Sequence, residues 1–125
     1  MVDTLGLIWA LVVTPASVQD AAGGKEALIE FRRQVKFPKV IWVDAAYRAV
    51  VSWALVLWWW TVEVVGAPKD QRGFVVQPKR WIVERTFGWL NRSRRLSKDY
   101  ERTIESSKAF VQVAMIHLMV RRLTR

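Results

Sequence analysis

Arg80 and Glu84 stand one helical turn apart in the run Lys79-Arg80-Trp81-Ile82-Val83-Glu84-Arg85-Thr86-Phe87-Gly88-Trp89-Leu90, whose pattern leaves room for little except a helix. At about 100° per residue, Arg80, Glu84, Asn91 and Arg95 fall within an arc of roughly 60°, with Val83, Phe87 and Leu90 on an adjoining apolar stripe. Pro78, just ahead of it, is a start signal. A lone carboxylate is thereby fixed on a rigid element among guanidinium groups, which suits a divalent cation held beside a nucleic-acid phosphate. The plainer alternative is an i,i+4 ion pair on a solvated helix face.

The rest of the chain reads as a mixed α/β order. Residues 5–13 are apolar, β-branched towards their end and closed by Pro15, which predicts a strand. Asp20 precedes an amphipathic helix over 25–34 with Ala27, Leu28 and Phe31 inward. Residues 40–43 are continuously apolar, as a central strand buried on both faces would be, and they deliver Asp44 at their end. Ala46, Val50, Trp53 and Leu57 recur at helical spacing and predict a helix over 45–57; residues 61–65 alternate as a strand. Residues 69–78 form a basic connector. A last helix over about 106–122 has Ser106 or Ser107 as its cap, with Met115 and Met119 in the core and His117 partly buried beside them. Trp58, Trp59 and Trp60 read as packing at a helix end, and Trp81 is a candidate for the DNA side.

At 125 residues this is one small domain or part of one. Cysteine is absent, which excludes disulfides and thiolate metal sites and fits a cytoplasmic protein. The longest apolar run, residues 49–60, is too short to cross a bilayer core of about 30 Å, so no membrane partner is expected. Charge is unevenly placed. Residues 69–125 hold fourteen of the twenty Lys and Arg against five of the eleven Asp and Glu, whereas residues 1–68 hold six of each. The whole formal charge of +9 therefore lies in the C-terminal part, the footprint of a polyanion-binding surface or, more plainly, of a solvated basic helix.

Several segments then recur in a familiar order: Val43-Asp44-Ala45-Ala46-Tyr47-Arg48, Gly73-Phe74-Val75-Val76, the run from Arg80 to Leu90, Arg94-Arg95-Leu96, and Lys98-Asp99-Tyr100-Glu101-Arg102. With Ala114-Met115-Ile116 and Arg121-Arg122-Leu123, this ordered set resembles the C-terminal half of a DDE-type insertion-sequence transposase over nearly the whole chain. The resemblance implies an RNase H-like α/β fold, here partial, with a mixed sheet and flanking helices. It implies Mg²⁺- or Mn²⁺-dependent phosphoryl transfer on DNA at the element's ends. The family holds its metals with two Asp and one Glu, and Asp44 matches the second Asp and Glu84 the Glu. Arg80, Arg85, Arg92, Arg94, Arg95 and Lys98 are the DNA-binding candidates that accompany them.

The family's first Asp lies on the first strand, ahead of the point that matches Met1, and neither Asp3 nor Asp20 fits its place. The expectation is a truncated or split reading frame without an N-terminal DNA-recognition domain. An upstream-encoded half would be its partner, the chain would be inactive alone, and homo-oligomerisation stays open. Gln77 and Asn91 stand where some members of the wider group carry Tyr and Lys. The rival class is a small basic protein that binds nucleic acid through phosphates without catalysis; it needs neither Asp44 nor Glu84.

Overall fold

The computed structural model describes residues 1–66, 79–98 and 100–124. Its elements run α1 (Asp20–Arg32), β1 (Ile41–Val43), a 3-10 turn (Ala45–Tyr47), α2 (Ala49–Trp58), β2 (Val62–Val64), α3 (Arg80–Leu90), a 3-10 turn (Arg94–Leu96) and α4 (Ile104–Leu123). The predicted connector over 69–78, with Gly73-Phe74-Val75-Val76, lies outside the described residues.

β1 and β2 pair in parallel, Ile41 opposite Val62 and Val43 opposite Val64, with α2 as the crossover between them. Parallel neighbours need such a connection because the chain must return to the same end of the sheet. The core gathers where α1 and α2 cover this pair: Leu28, Ile41, Val50, Ala54, Trp60 and Val62 are buried together. Trp60 is its largest member. Phe31 meets it edge-on at 5.8 Å, and its indole Nε1 donates to the Lys36 carbonyl at 3.0 Å, so the one polar atom of the ring is satisfied.

Expectation and structure part at several places. Residues 5–13 do not form a strand; a single antiparallel bridge joins Val2 to Ile8. The Asp3 carboxylate accepts the backbone N–H groups of Leu5 and Leu7, both at 2.9 Å, which bends the chain through Gly6 and competes with strand pairing. α1 begins at Asp20 rather than at 25, with Asp20 in the first turn where a carboxylate complements the helix dipole. β1 is not buried on both faces. Ile41 is buried, whereas Trp42 and Val43 are half-buried, because among the described residues the sheet has only two strands.

In α2 the inward positions are Val50 and Ala54, while Ala46 and Leu57 are exposed. The chain makes a 3-10 turn before the helix settles, which rotates the buried face away from the pattern read across 45–57. Trp59 closes α2 in the left-handed region (φ 58°) and is 87% exposed, while its neighbour Trp60 turns into the core. α4 starts at Ile104, capped by Thr103, whose hydroxyl accepts from Ser106 N at 3.2 Å; the predicted serine caps lie inside the helix. Met115 is buried as expected, Met119 is half-buried, and His117 is exposed rather than partly buried.

One glycine has an evident role here. A Cβ on Gly24 would lie 2.6 Å from Cδ1 of Tyr47 and 3.4 Å from Cγ1 of Val50, so α1 and the turn after β1 approach over a bare backbone. Gly24→Ala gains about 0.8–1 kcal/mol of helix propensity but overpacks at a cost of about 1–3 kcal/mol. The expected result is a lower urea midpoint. A raised midpoint would mean that the Tyr47 ring swings aside and that this contact does not hold the turn.

Candidate functional site

Asp44 follows β1 directly. Its backbone is extended (φ −80°, ψ 177°), and its side chain accepts from Ala46 N at 3.0 Å, capping the 3-10 turn. The local cause is ordinary: a short carboxylate at a strand end satisfies the first N–H groups of the turn that follows. The same turn presents Tyr47, half-buried against α1. Burial first, then the negative charges of Asp20 and Asp44, push its phenol above the usual tyrosine value.

Glu84 lies on α3 with its side chain 67% exposed, and Arg80 Nε is 3.5 Å from its Oε1. The two stay together as the one-turn spacing predicts. A pair this exposed contributes only about 0.3–0.5 kcal/mol, so it is easily exchanged for another partner.

Only Leu90 of the apolar stripe predicted on α3 turns inward. Thr86 and Leu90 are buried, but Val83 and Phe87 are 44% and 60% exposed. The face that packs carries Arg85 and Trp89 instead. The Arg85 guanidinium lies 4.4 Å from the Trp81 ring and 4.7 Å from the Trp89 ring, and Arg122 lies 4.4 Å from Trp89. Planar guanidinium on indole is a good cation–π pairing, and it lets charged residues occupy a packed face. Its cost is visible at Arg85 Nε, which is buried without a hydrogen-bond partner among the described residues.

The arc predicted from Arg80 to Arg95 is cut short. α3 stops at Leu90, and Arg95 sits in the following 3-10 turn, where its Nε donates to Glu101 at 2.8 Å and its guanidinium lies 4.9 Å from Phe110. The hydrogen bond to Glu101, then that carboxylate's charge, raises the Arg95 pKa further above its usual value. Arg92, Arg94 and Lys98 are exposed.

Sequence reasoning missed the contact between the elements that carry the two carboxylates. The Lys79 ammonium stands 3.3 Å from the centre of the Trp42 ring, while Trp42 Nε1 donates to Glu63 at 2.9 Å. Trp42 is two residues before Asp44, and Lys79 is the residue from which α3 starts. The entry to α3 is therefore seated on β1. No periodicity signals a lysine stacked on a distant tryptophan, whereas the spacing of four from Trp81 to Arg85 to Trp89 is a signal that apolar periodicity passes over.

As donors, two carboxylates are hard oxygen ligands of the kind Mg²⁺ takes. Asp44 and Glu84 are both exposed, and Arg80 is held loosely enough to yield. Among the described residues no group of three or more His, Cys, Asp or Glu stands close enough to hold an ion. No helix of the described residues is long and apolar enough to cross a membrane.

The sequence model of the family described as Transposase DDE domain matches residues 1–119 of this chain. No curated protein and no solved structure matches it.

Proposed function

As this chain belongs to the Transposase DDE domain family, we propose that it acts on DNA phosphodiester bonds in cutting and joining an insertion sequence, with Asp44 and Glu84 as two of three metal-holding carboxylates. The observation that carries this reading is the Lys79–Trp42 contact, because it seats the start of the Glu84 helix on the strand that ends at Asp44. The parallel β1–α2–β2 unit is the building block of the wider RNase H-like sheet to which we assign the fold.

Within this reading, each residue has its own task. Asp44 and Glu84 would hold Mg²⁺ or Mn²⁺, which when bound offsets negative charge developing on the phosphate oxygens. Arg80, 3.5 Å from Glu84 Oε1 in an exposed pair, would have to yield that carboxylate to such an ion. Arg92, Arg94 and Lys98 face solvent beyond the end of α3 and grip phosphates, with Arg80 at its start. Arg95 joins them only by leaving Glu101, and the Arg85 charge is spent between two indoles, so we place Arg85 outside the DNA-facing set.

A second reading, non-catalytic binding of nucleic acid through phosphates, draws on the local partners that both carboxylates already have. DNA binding itself tests the part common to both. Each phosphate neutralised on duplex DNA contributes about −0.9 to the slope of log K against log salt. Replacing Arg92, Arg94 and Arg95 with alanine should flatten that slope by about 1.8, and by about 2.7 if Arg95 also releases Glu101. A slope that does not change, measured by fluorescence anisotropy across a salt series, would place the binding surface elsewhere. Catalysis separates the two readings.

A further inference from the structure

The described residues pack mainly as two groups, which meet directly where Lys79 stands over the Trp42 ring. α1, β1, its 3-10 turn, α2 and β2 lie on one another and carry Asp44; α3 lies on α4, α4 lies on the second 3-10 turn, and α3 carries Glu84. The segment 1–10 holds on to both. Towards the first group, Met1 packs against the core and the Trp9 carbonyl accepts from Gln34 Nε2 at 2.7 Å. Towards the second, three consecutive carbonyls are captured by three side chains. Thr4 O accepts from Arg85 Nη2 at 3.3 Å, Leu5 O from Arg122 Nη1 at 3.4 Å, and Gly6 O from the Thr86 hydroxyl at 3.0 Å.

The firmest of these is the last. Thr86 is buried, and its hydroxyl stands 3.0 Å from both Gly6 O and Ile82 O, within donating distance of either carbonyl. Gly6 has φ +80°, and a Cβ there would lie 2.7 Å from the Trp89 ring and 2.8 Å from Thr86 Oγ1. The turn therefore fits α3 only with a bare backbone at that point. The two arginine bonds are long and exposed, but each guanidinium also stands 4.4–4.7 Å from an indole ring, which limits the freedom those bonds would otherwise have to restrict.

We propose that the Asp3–Gly6 turn is a strap that sets how the Asp44-bearing group stands to the Glu84-bearing group, with Gly6 and Thr86 as positioning residues for the candidate site. Its relevance to catalysis rests on the metal-holding assignment of Asp44 and Glu84; its mechanical content does not. Glu84 is two residues before Thr86 on one rigid helix, so any slackness at Gly6–Thr86 is passed to the carboxylate.

The chain contains no cysteine, so Ser52→Cys on α2 and Gln112→Cys on α4, both exposed positions, accept nitroxide labels without background. Double electron–electron resonance then reads the separation of the two groups. The otherwise unaltered chain should give a narrow distribution. Thr86→Val and Gly6→Ala should each broaden it and shift it to longer distances while the far-ultraviolet helical signal is kept, and Thr86→Ser, which retains the hydroxyl, should restore it. An unchanged distribution in both variants, or a Thr86→Ser distribution as broad as that of Thr86→Val, would overturn the proposal. Should Thr86→Val lose the helical signal, Arg122→Ala, at an exposed position, takes its place; a smaller broadening supports the strap and no broadening refutes it. Titration of the labelled chain with Mn²⁺, in the presence of a polypeptide that supplies the third carboxylate, separates the two claims, since a strap that holds in an assembly indifferent to Mn²⁺ removes the metal assignment and leaves the strap standing.

Discussion

Glu84→Gln should abolish DNA strand cleavage in any preparation of this chain that is competent to cleave. The substitution keeps the size and helical setting of the side chain and removes only its charge, so folding and salt-dependent DNA binding should stay as they were. The loss should be on the order of a thousandfold or more in rate, because a metal-holding carboxylate supports several kcal/mol of transition-state charge stabilisation. Asp44→Asn should fall as far, although it retains an oxygen to accept from Ala46 N and so keeps the cap. We expect residues 1–125 by themselves to leave DNA uncut in Mg²⁺ or Mn²⁺; cleavage only when a polypeptide supplies a third carboxylate would show an enzyme in two parts. Correct positioning of reacting groups is worth about 7–11 kcal/mol, and two acids alone cannot place two cations. Cleavage by the chain alone that Glu84→Gln leaves intact would sink the site. Cleavage by the chain alone that Glu84→Gln abolishes would keep Glu84 and assign the third acid to this chain. Unimpaired DNA binding with no cleavage under any combination would favour the non-catalytic reading.

Trp60→Ala should be the most destabilising single change in the described core. Trp60 is 2% exposed, sits between Phe31 and Trp58, and spends its indole N–H on Lys36 O. Truncating a buried tryptophan costs about 3–5 kcal/mol, a large part of the roughly 5–15 kcal/mol that keeps a domain folded. A fall in Tm of roughly 10–20 °C is the expected calorimetric result. Trp59→Ala, one residue earlier and 87% exposed, should move Tm by little. Equal effects at the two positions would contradict the packing described for the end of α2.

That contrast shows where reading the sequence reaches its limit. Three consecutive tryptophans are indistinguishable by composition, and only the left-handed backbone at Trp59 decides that Trp60 turns inward. The same limit applies to α3. Its existence and the Arg80–Glu84 pair were legible because both depend on neighbours within one turn. Its buried face was not, because an arginine flanked by Trp81 and Trp89 can pack more favourably than a stripe of Val83 and Phe87 once there is a turn of backbone for it to bond. Periodicity ranks residues by apolarity and has no term for a guanidinium set against indoles.

Local order alone determined the helices, the short strands Ile41–Val43 and Val62–Val64, the basic C-terminal part and the ordered motifs that mark the family. Tertiary structure decided the rest. Residues 5–13 have strand-like composition, yet the Asp3 carboxylate, Thr86 of α3 and Arg122 of α4 give the backbone of residues 5–7 other partners. Arg95, on paper one turn of the Glu84 row, leaves it because α3 ends at Leu90 and Glu101 offers a shorter bond. The seating of Lys79 on Trp42 belongs to the same class. Contacts within a turn follow from the spacing of residues along one element, whereas contacts between elements are won in competition among all the groups that folding brings within reach.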